Sequence, residues 1–209
     1  MKSDSSTHID LIYQFHQPFF GKKDITDTYS FSDVFSKEEI NFIIDYCSNL
    51  PTNTAEIGSN NDKETYVKDI RSSSIRWVPI NENTRFIYER LKEMIFEANR
   101  EMWGFDIIGV LEEIQYTEYY ASQDGRYDWH LDIGPGIDYR KISITIQLSE
   151  PDEYEGGELQ FLQSKHILNV PKELSLATLF PSYLLHRVNN VKKGVRRSLV
   201  LWVTGPAFR

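Results

Sequence analysis

The apolar period of this chain changes at Gly104, and few architectures accommodate that change. Upstream, Ile40, Ile43, Ile44 and Cys47 recur at helical spacing. Ser36-Lys37-Glu38-Glu39 precedes them as a capping box, in which Ser36 accepts an early helical N–H and Glu39 reaches back. Pro51 ends that helix. A second stripe, Phe86, Ile87, Leu91, Met94, Ile95 and Ala98, predicts a helix from about Asn83 to Met102. Downstream of Gly104, short runs rich in β-branched and aromatic residues succeed one another, with turn residues between them. They are Ile107–Tyr120, Tyr127–Ile133, Lys141–Leu148, Glu158–Leu162, His166–Val170, Ala177–Phe180, Leu184–Val188 and Arg197–Val203. No long helix separates them. The pattern predicts an α+β domain, an antiparallel sandwich or barrel with the helices packed on one sheet.

A chain of 209 residues suits one good core better than two. A net charge of −8 lacks the basic footprint of a nucleic-acid binder. Cys47 is the only cysteine, so no internal disulfide forms, which suits a reducing compartment. Met1-Lys2-Ser3-Asp4-Ser5-Ser6 lacks the apolar core of a signal peptide, and no run reaches membrane-spanning length. The expectation is a soluble, cytoplasmic protein with no membrane partner; its oligomeric state is open. Residues 1–30 are polar with scattered aromatics and read as an arm or edge strand. Thr52–Asp69 reads as a surface loop, and Gly156-Gly157 as a turn.

The chemistry starts at His130-Leu131-Asp132. In a strand, residues i and i+2 share a face, so His130 and Asp132 can bind one ion together. A third ligand from another strand would complete a facial triad, leaving open positions of the kind non-haem Fe(II) uses. His8, His16, His166 and His186 are the choices, and His186 is the one set in an apolar run close before the final strand. On that last strand, Arg196 and Ser198 share a face. An arginine fork there can hold a buried carboxylate, such as the distal one of 2-oxoglutarate. Lys192, Lys193 and Arg197 read as solvating a hairpin.

These residues resemble the Fe(II)/2-oxoglutarate-dependent dioxygenases, and within them the prolyl 4-hydroxylase-like group. The resemblance spans roughly Gln115 to Thr204. It is carried by Tyr127-Asp128-Trp129-His130-Leu131-Asp132, the segment from Arg140 to Ser149, Tyr154-Glu155-Gly156-Gly157-Glu158-Leu159, His186-Arg187-Val188 and the Gly194-to-Trp202 stretch. It implies a double-stranded β-helix, a jelly roll of cupin-like form. It implies one domain over residues 1–209, with a helical part over about 33–104 and a β-helix core over about 105–205. It implies His130, Asp132 and His186 as iron ligands, and Arg196 with Ser198 at 2-oxoglutarate. An aromatic residue on the strand before His130 is expected there too. Tyr119 is favoured and Tyr120, its neighbour, is the alternative, because a shift of one residue changes the face. Tyr127 and Trp129 flank the ligands, as pocket residues or as ordinary strand packing.

The resemblance implies an oxidoreductase using Fe(II), 2-oxoglutarate and O2, with ascorbate as a further cofactor. It would hydroxylate an unactivated C–H and release succinate and CO2. A carboxylate at Asp132 points to hydroxylation, since related halogenases lack it. A prolyl residue of a peptide or protein is the leading substrate; a free amino acid or other small molecule is the alternative. A cupin-type metal protein without 2-oxoglutarate chemistry, or a binding module that keeps the fold, stays open.

Overall fold

The computed structural model describes residues 13–14, 27–54 and 70–208, with the backbone alone for Gln14, Asn53 and Thr54. His8, His16, most of the N-terminal segment and residues 55–69 of the expected loop lie outside the described residues. The strands in chain order are β1 (Tyr13–Gln14), β2 (Tyr29–Phe31), β3 (Asn53–Thr54), β4 (Arg71–Ser72), β5 (Ser74–Val78), β6 (Gly109–Val110), β7 (Ile114–Tyr120) and β8 (Arg126–His130). Then come β9 (Arg140–Gln147), β10 (Tyr154–Gly156), β11 (Leu159–Gln163), β12 (His166–Asn169), β13 (Ala177–Pro181), β14 (His186–Val188) and β15 (Val191–Thr204). Among the described residues, the α-helices α1 (Lys37–Ser48) and α2 (Arg85–Ala98) precede β6.

Both helices follow from local chemistry. The Ser36 side chain accepts from the Glu39 N–H, and the Glu39 carboxylate accepts from the Ser36 N–H, forming the expected capping box. Helix α2 begins two residues later than the stripe predicts. Its last turn widens to a π-turn over Asn99–Trp103, which Gly104 ends in the left-handed conformation at φ 65°. Asn99 holds that exit through two hydrogen bonds to the Phe105 backbone.

The strands form two antiparallel sheets. The larger runs β2-β13-β9-β15-β7-β5-β3, with β1, β6 and β10 attached at its flanks; the smaller runs β12-β11-β14-β8-β4. This is the double-stranded β-helix anticipated from the sequence. Two-residue alternation assigns the faces of the large sheet. Leu199, Leu201 and Val203 of β15, Ile142, Ile144 and Ile146 of β9, and Ile114 and Tyr116 of β7 join the helices in the main core. The intervening residues of β15, among them Arg196, Ser198, Val200 and Trp202, line the space between the sheets. A smaller cluster of Tyr119, Tyr154, Leu159, Phe161, Phe180, Val188 and Val191 closes one end of that space.

The order of helices first and strands after needs correction. Strands β2 to β5 are interleaved with the helices, and β5 pairs with β7 over five residues, from Ser74↔Glu118 to Val78↔Ile114. Large-sheet edges require partners, and Ser74–Val78 supplies one. Gly156, read with Gly157 as a turn, ends a short strand, β10, that pairs with β15. Conversely, the Tyr127–Ile133 run ends as a strand at His130, so Asp132 sits in the following turn, where its N–H donates to the Ser182 carbonyl at 2.9 Å.

Candidate metal and co-substrate centre

Strands β8 and β14 place the two histidines. They pair in the small sheet with His130 directly opposite His186, and the imidazole centroids are 4.1 Å apart. Each ring is oriented by the backbone. His130 Nδ1 lies 2.7 Å from the Asp128 carbonyl and His186 Nδ1 2.8 Å from that of Leu184. A carbonyl can only accept, so each Nδ1 carries the proton and each Nε2 keeps its lone pair. Those two Nε2 atoms converge on Asp132, at 3.8 Å from Oδ1 for His130 and 3.5 Å from Oδ2 for His186. One ligand atom from each residue lies within 4.8 Å of the others. Among the described residues, this is the one such group of three.

The surroundings fix the protonation states. Burial, helped by His186, pushes His130 down to about 3, so its imidazole is neutral at physiological pH. Burial is also the largest influence on Asp132 and pushes its carboxyl up. The two imidazoles, a hydrogen bond from Ser143 and the charge of Arg140 outweigh it and hold the group below the usual carboxylate range. Ser143 in turn contacts Ser182, Oγ to Oγ, at 3.0 Å. Phe180 stands edge-on to the His186 ring at 4.7 Å. Two imidazoles presenting Nε2 and one ionised carboxylate form a donor set suited to a borderline divalent ion such as Fe(II).

The large sheet supplies the opposite wall. Arg196 is 1% exposed, and its Nη1 donates to Ser198 Oγ at 3.3 Å. Its Nε and Nη2 are buried and, among the described residues, meet no hydrogen-bond acceptor. A guanidinium in that state calls for an anion, and a carboxylate fits its fork. Tyr119 pairs with Arg196 across β7 and β15, with the guanidinium carbon 5.4 Å from the ring centroid. Tyr120 lies on the other face, where its hydroxyl interacts with Glu118. The geometry therefore brings Tyr119 to the site and leaves Tyr120 out. Tyr154, which the sequence reading passed over as a site residue, also faces the clamp. Burial pushes its phenol up while Arg196 beside it pulls the other way. Gly157, at φ 64°, packs so closely that a Cβ there would stand 3.2 Å from Arg196 Cδ.

Between these walls lies a cavity of about 870 Å³, lined by both histidines, Asp132, Arg196, Ser198 and Tyr119. Tyr127 stacks on His130 at 3.5 Å and 14°, a pocket residue rather than mere strand packing. Trp129 lies on the rim with the Arg187 guanidinium 4.5 Å over its ring. His166 is exposed on β12, and Lys193 and Arg197 pair with Glu155 and Glu118, so none of these joins the site. The sequence reading missed two arginines. Arg140 donates to Glu112 and to the Asp132 carbonyl, and covers Trp202 at 3.8 Å. An irregularity between Val203 and Thr204 in the β9–β15 register aligns Arg140 with Thr204, on the cavity side. Arg71 lies over the Tyr127 ring at 4.6 Å.

A two-sheet β-helix carries a His–Asp–His cluster on one wall of its cavity and a buried arginine on the other. Residues 114–204 match the model of the 2OG-Fe(II) oxygenase superfamily. That superfamily implies Fe(II), 2-oxoglutarate and O2, and the donor set and the Arg196 fork both fit these groups. A PKHD-type hydroxylase of Parvibaculum lavamentivorans is 41% identical over 91 residues, 39% of this chain and 39% of that protein. The matching stretch thus spans about two fifths of that relative. Among solved structures, a prolyl hydroxylase from Trichoplax adhaerens in complex with a hypoxia inducible factor oxygen degradation domain peptide superposes with a TM-score of 0.70 at 17% identity. It covers 86% of this chain and 84% of that one. A Pseudomonas putida prolyl-4-hydroxylase superposes at 0.62 and 19% identity, over 86% and 93% of the respective chains. These structures share the fold. No helix among the described residues is long and apolar enough to cross a membrane.

Proposed function

We propose that this protein is an Fe(II)- and 2-oxoglutarate-dependent hydroxylase acting on a prolyl residue of a peptide or protein. One observation carries the reading: His130, Asp132 and His186 face the unsatisfied guanidinium of Arg196 across a single cavity. His130, Asp132 and His186 would hold the iron, and Arg196 with Ser198 and Tyr119 the distal carboxylate of 2-oxoglutarate. Bound with 2-oxoglutarate and O2, iron supplies the oxidising power to hydroxylate an unactivated C–H, with succinate and CO2 as co-products.

The chain's own residues do the rest. The Asp128 and Leu184 carbonyls lock both imidazoles in the ligating tautomer. Ser143 and the Asp132 N–H contact to Ser182 hold the carboxylate ionised and in place. Phe180, Phe161 and Leu159 keep water from the inner end of the cavity. Tyr127 and Trp129 line the cavity and add aromatic surface to its wall, suited to an apolar pyrrolidine ring. The names of the relatives and the peptide held by the Trichoplax enzyme support a prolyl peptide as substrate. We also read residues 1–209 as one domain, and its buried lone thiol Cys47 as suited to the cytoplasm.

The test incubates the protein with Fe(II), 2-oxoglutarate and proline-rich peptides, and follows succinate together with the mass gain of one oxygen atom. Coupled succinate and oxygen gain, both lost in His130→Ala, support the reading. Absence of succinate from the wild type, or unchanged turnover in His130→Ala, overturns it.

A further inference from the structure

Three arginines line the cavity, and they differ in how their charge is met. Arg140 is bound through Nε and Nη2 to the Glu112 carboxylate. Arg196 has the 2-oxoglutarate role proposed above. Arg71 is different. Its Nε donates to Ser73 Oγ at 2.8 Å and its Nη2 to Gln115 Oε1 at 2.7 Å, both neutral. Its guanidinium lies over the Tyr127 ring, also neutral. Among the described residues no carboxylate pairs with it.

Those contacts build a site. Gln115 is 4% exposed and is itself held by a 3.2 Å contact between its Oε1 and Thr117 Oγ1. Arg71 is thereby fixed through two of its five N–H groups, and the other three can serve a bidentate acceptor. Charge balance says what the acceptor is. With the co-substrate bound, the charges of Fe(II), Asp132, dianionic 2-oxoglutarate and Arg196 cancel, and Glu112 cancels Arg140. Arg71 leaves the cavity one positive charge in excess, which a partly buried site tolerates poorly without an anion.

We propose that Arg71 anchors a carboxylate of the prime substrate, so that the hydroxylated molecule is anionic beside its reacting C–H. The inference rests on the hydroxylase reading and narrows it. Arg71 and His130 both lie against the Tyr127 ring, 4.6 and 3.5 Å from its centroid, so a carboxylate on Arg71 sits close to the metal side of the cavity. The carboxylate can be the α-carboxylate of a free amino acid, the C-terminus of a peptide, or an acidic side chain next to the prolyl residue.

The test measures binding calorimetrically to the Fe(II)-loaded protein without oxygen, with 2-oxoglutarate saturating so that Arg196 is occupied. The probes are matched pairs: L-proline and L-prolinamide, glycyl-L-proline and its amide, and N-acetyl-aspartyl-prolinamide and its asparaginyl counterpart. In at least one pair the carboxylate member binds about tenfold tighter or more, as a charge-assisted contact requires. That ratio collapses in Arg71→Gln and survives in part in Arg71→Lys, which keeps the charge and controls for folding. The responding pair identifies the source of the carboxylate. Equal binding within every pair, including none measurable, or a ratio that persists in Arg71→Gln, overturns the proposal. Succinate formed from 2-oxoglutarate with no prime substrate present reports separately on the hydroxylase reading, since the binding test needs no turnover.

Discussion

Arg196 stands opposite Tyr119 across the β7–β15 ladder, its guanidinium over the tyrosine ring at 5.4 Å and two of its nitrogens buried without acceptors among the described residues. Buried polar groups rarely lack partners, and the two open nitrogens are those the proposed 2-oxoglutarate carboxylate would meet. Arg196→Gln should therefore weaken 2-oxoglutarate by roughly 10- to 100-fold, the ~1.5–3 kcal/mol of hydrogen bonds to a charged group. Tyr119→Phe should weaken it by less than about tenfold, since the ring face is kept, and Tyr120→Phe should leave it unchanged. Titration of 2-oxoglutarate at fixed iron checks all three.

The facing imidazoles make a second prediction. With His130, Asp132 and His186 as the proposed donors, an alanine at any one would remove a ligand, and divalent-metal affinity should fall by more than about 100-fold, beyond the 10- to 100-fold typical of outer contacts. The same substitution at His166, exposed on β12, should not change it. Mn(II) titration by calorimetry separates the two classes.

Ser143 tests the support behind Asp132. Its hydroxyl helps hold the Asp132 carboxyl below the usual range and touches Ser182. Ser143→Ala should cost about 10- to 100-fold in metal affinity while thermal stability changes little. A variant that keeps wild-type metal affinity would show that Asp132 is oriented by its backbone contact to Ser182 alone.

Away from the cavity, Glu118 accepts from Arg76 at 2.6 Å and Arg197 at 3.3 Å with its side chain 5% exposed. Burial pushes its carboxyl up, but Arg76, the Tyr120 hydroxyl and Arg197 prevail and hold it below the ordinary value. A depressed folded-state pKa stabilises the fold above the unfolded carboxylate range, and that stability is lost as pH falls through the folded value. Glu118→Ala strands two arginines and should destabilise the protein by ~3–5 kcal/mol at neutral pH. Its deficit relative to wild type should shrink as the solution is made acidic. Denaturant unfolding at several pH values measures this.

Much of this arrangement is legible in the sequence because it repeats. Helix α1 announces itself through Ser36 and Glu39, and β9 and β15 through alternation. The ligands stand out because polar residues in apolar runs need partners, and Arg196 because alternation puts it on the face of Ser198. What escapes is set by short elements and long-range pairing. Strands β4 and β10 are two and three residues long, too short for a period to register. Arg71 looks like any surface arginine until β4 pairs with β8, with Arg71 opposite Tyr127. Arg140 reaches the cavity only through a register irregularity that depends on Thr204, far along the chain. Asp132 acts from a turn rather than the strand, yet meets the same partners.

Iron at His130, Asp132 and His186 would be bound by 2-oxoglutarate whose distal carboxylate Arg196 holds. The most direct measurement adds 2-oxoglutarate to the Fe(II)-loaded protein without oxygen and records the visible spectrum. A new absorption band from the metal-bound keto acid, absent in His186→Ala and requiring more 2-oxoglutarate in Arg196→Gln, is the predicted result. An unchanged spectrum at saturating 2-oxoglutarate would contradict the account.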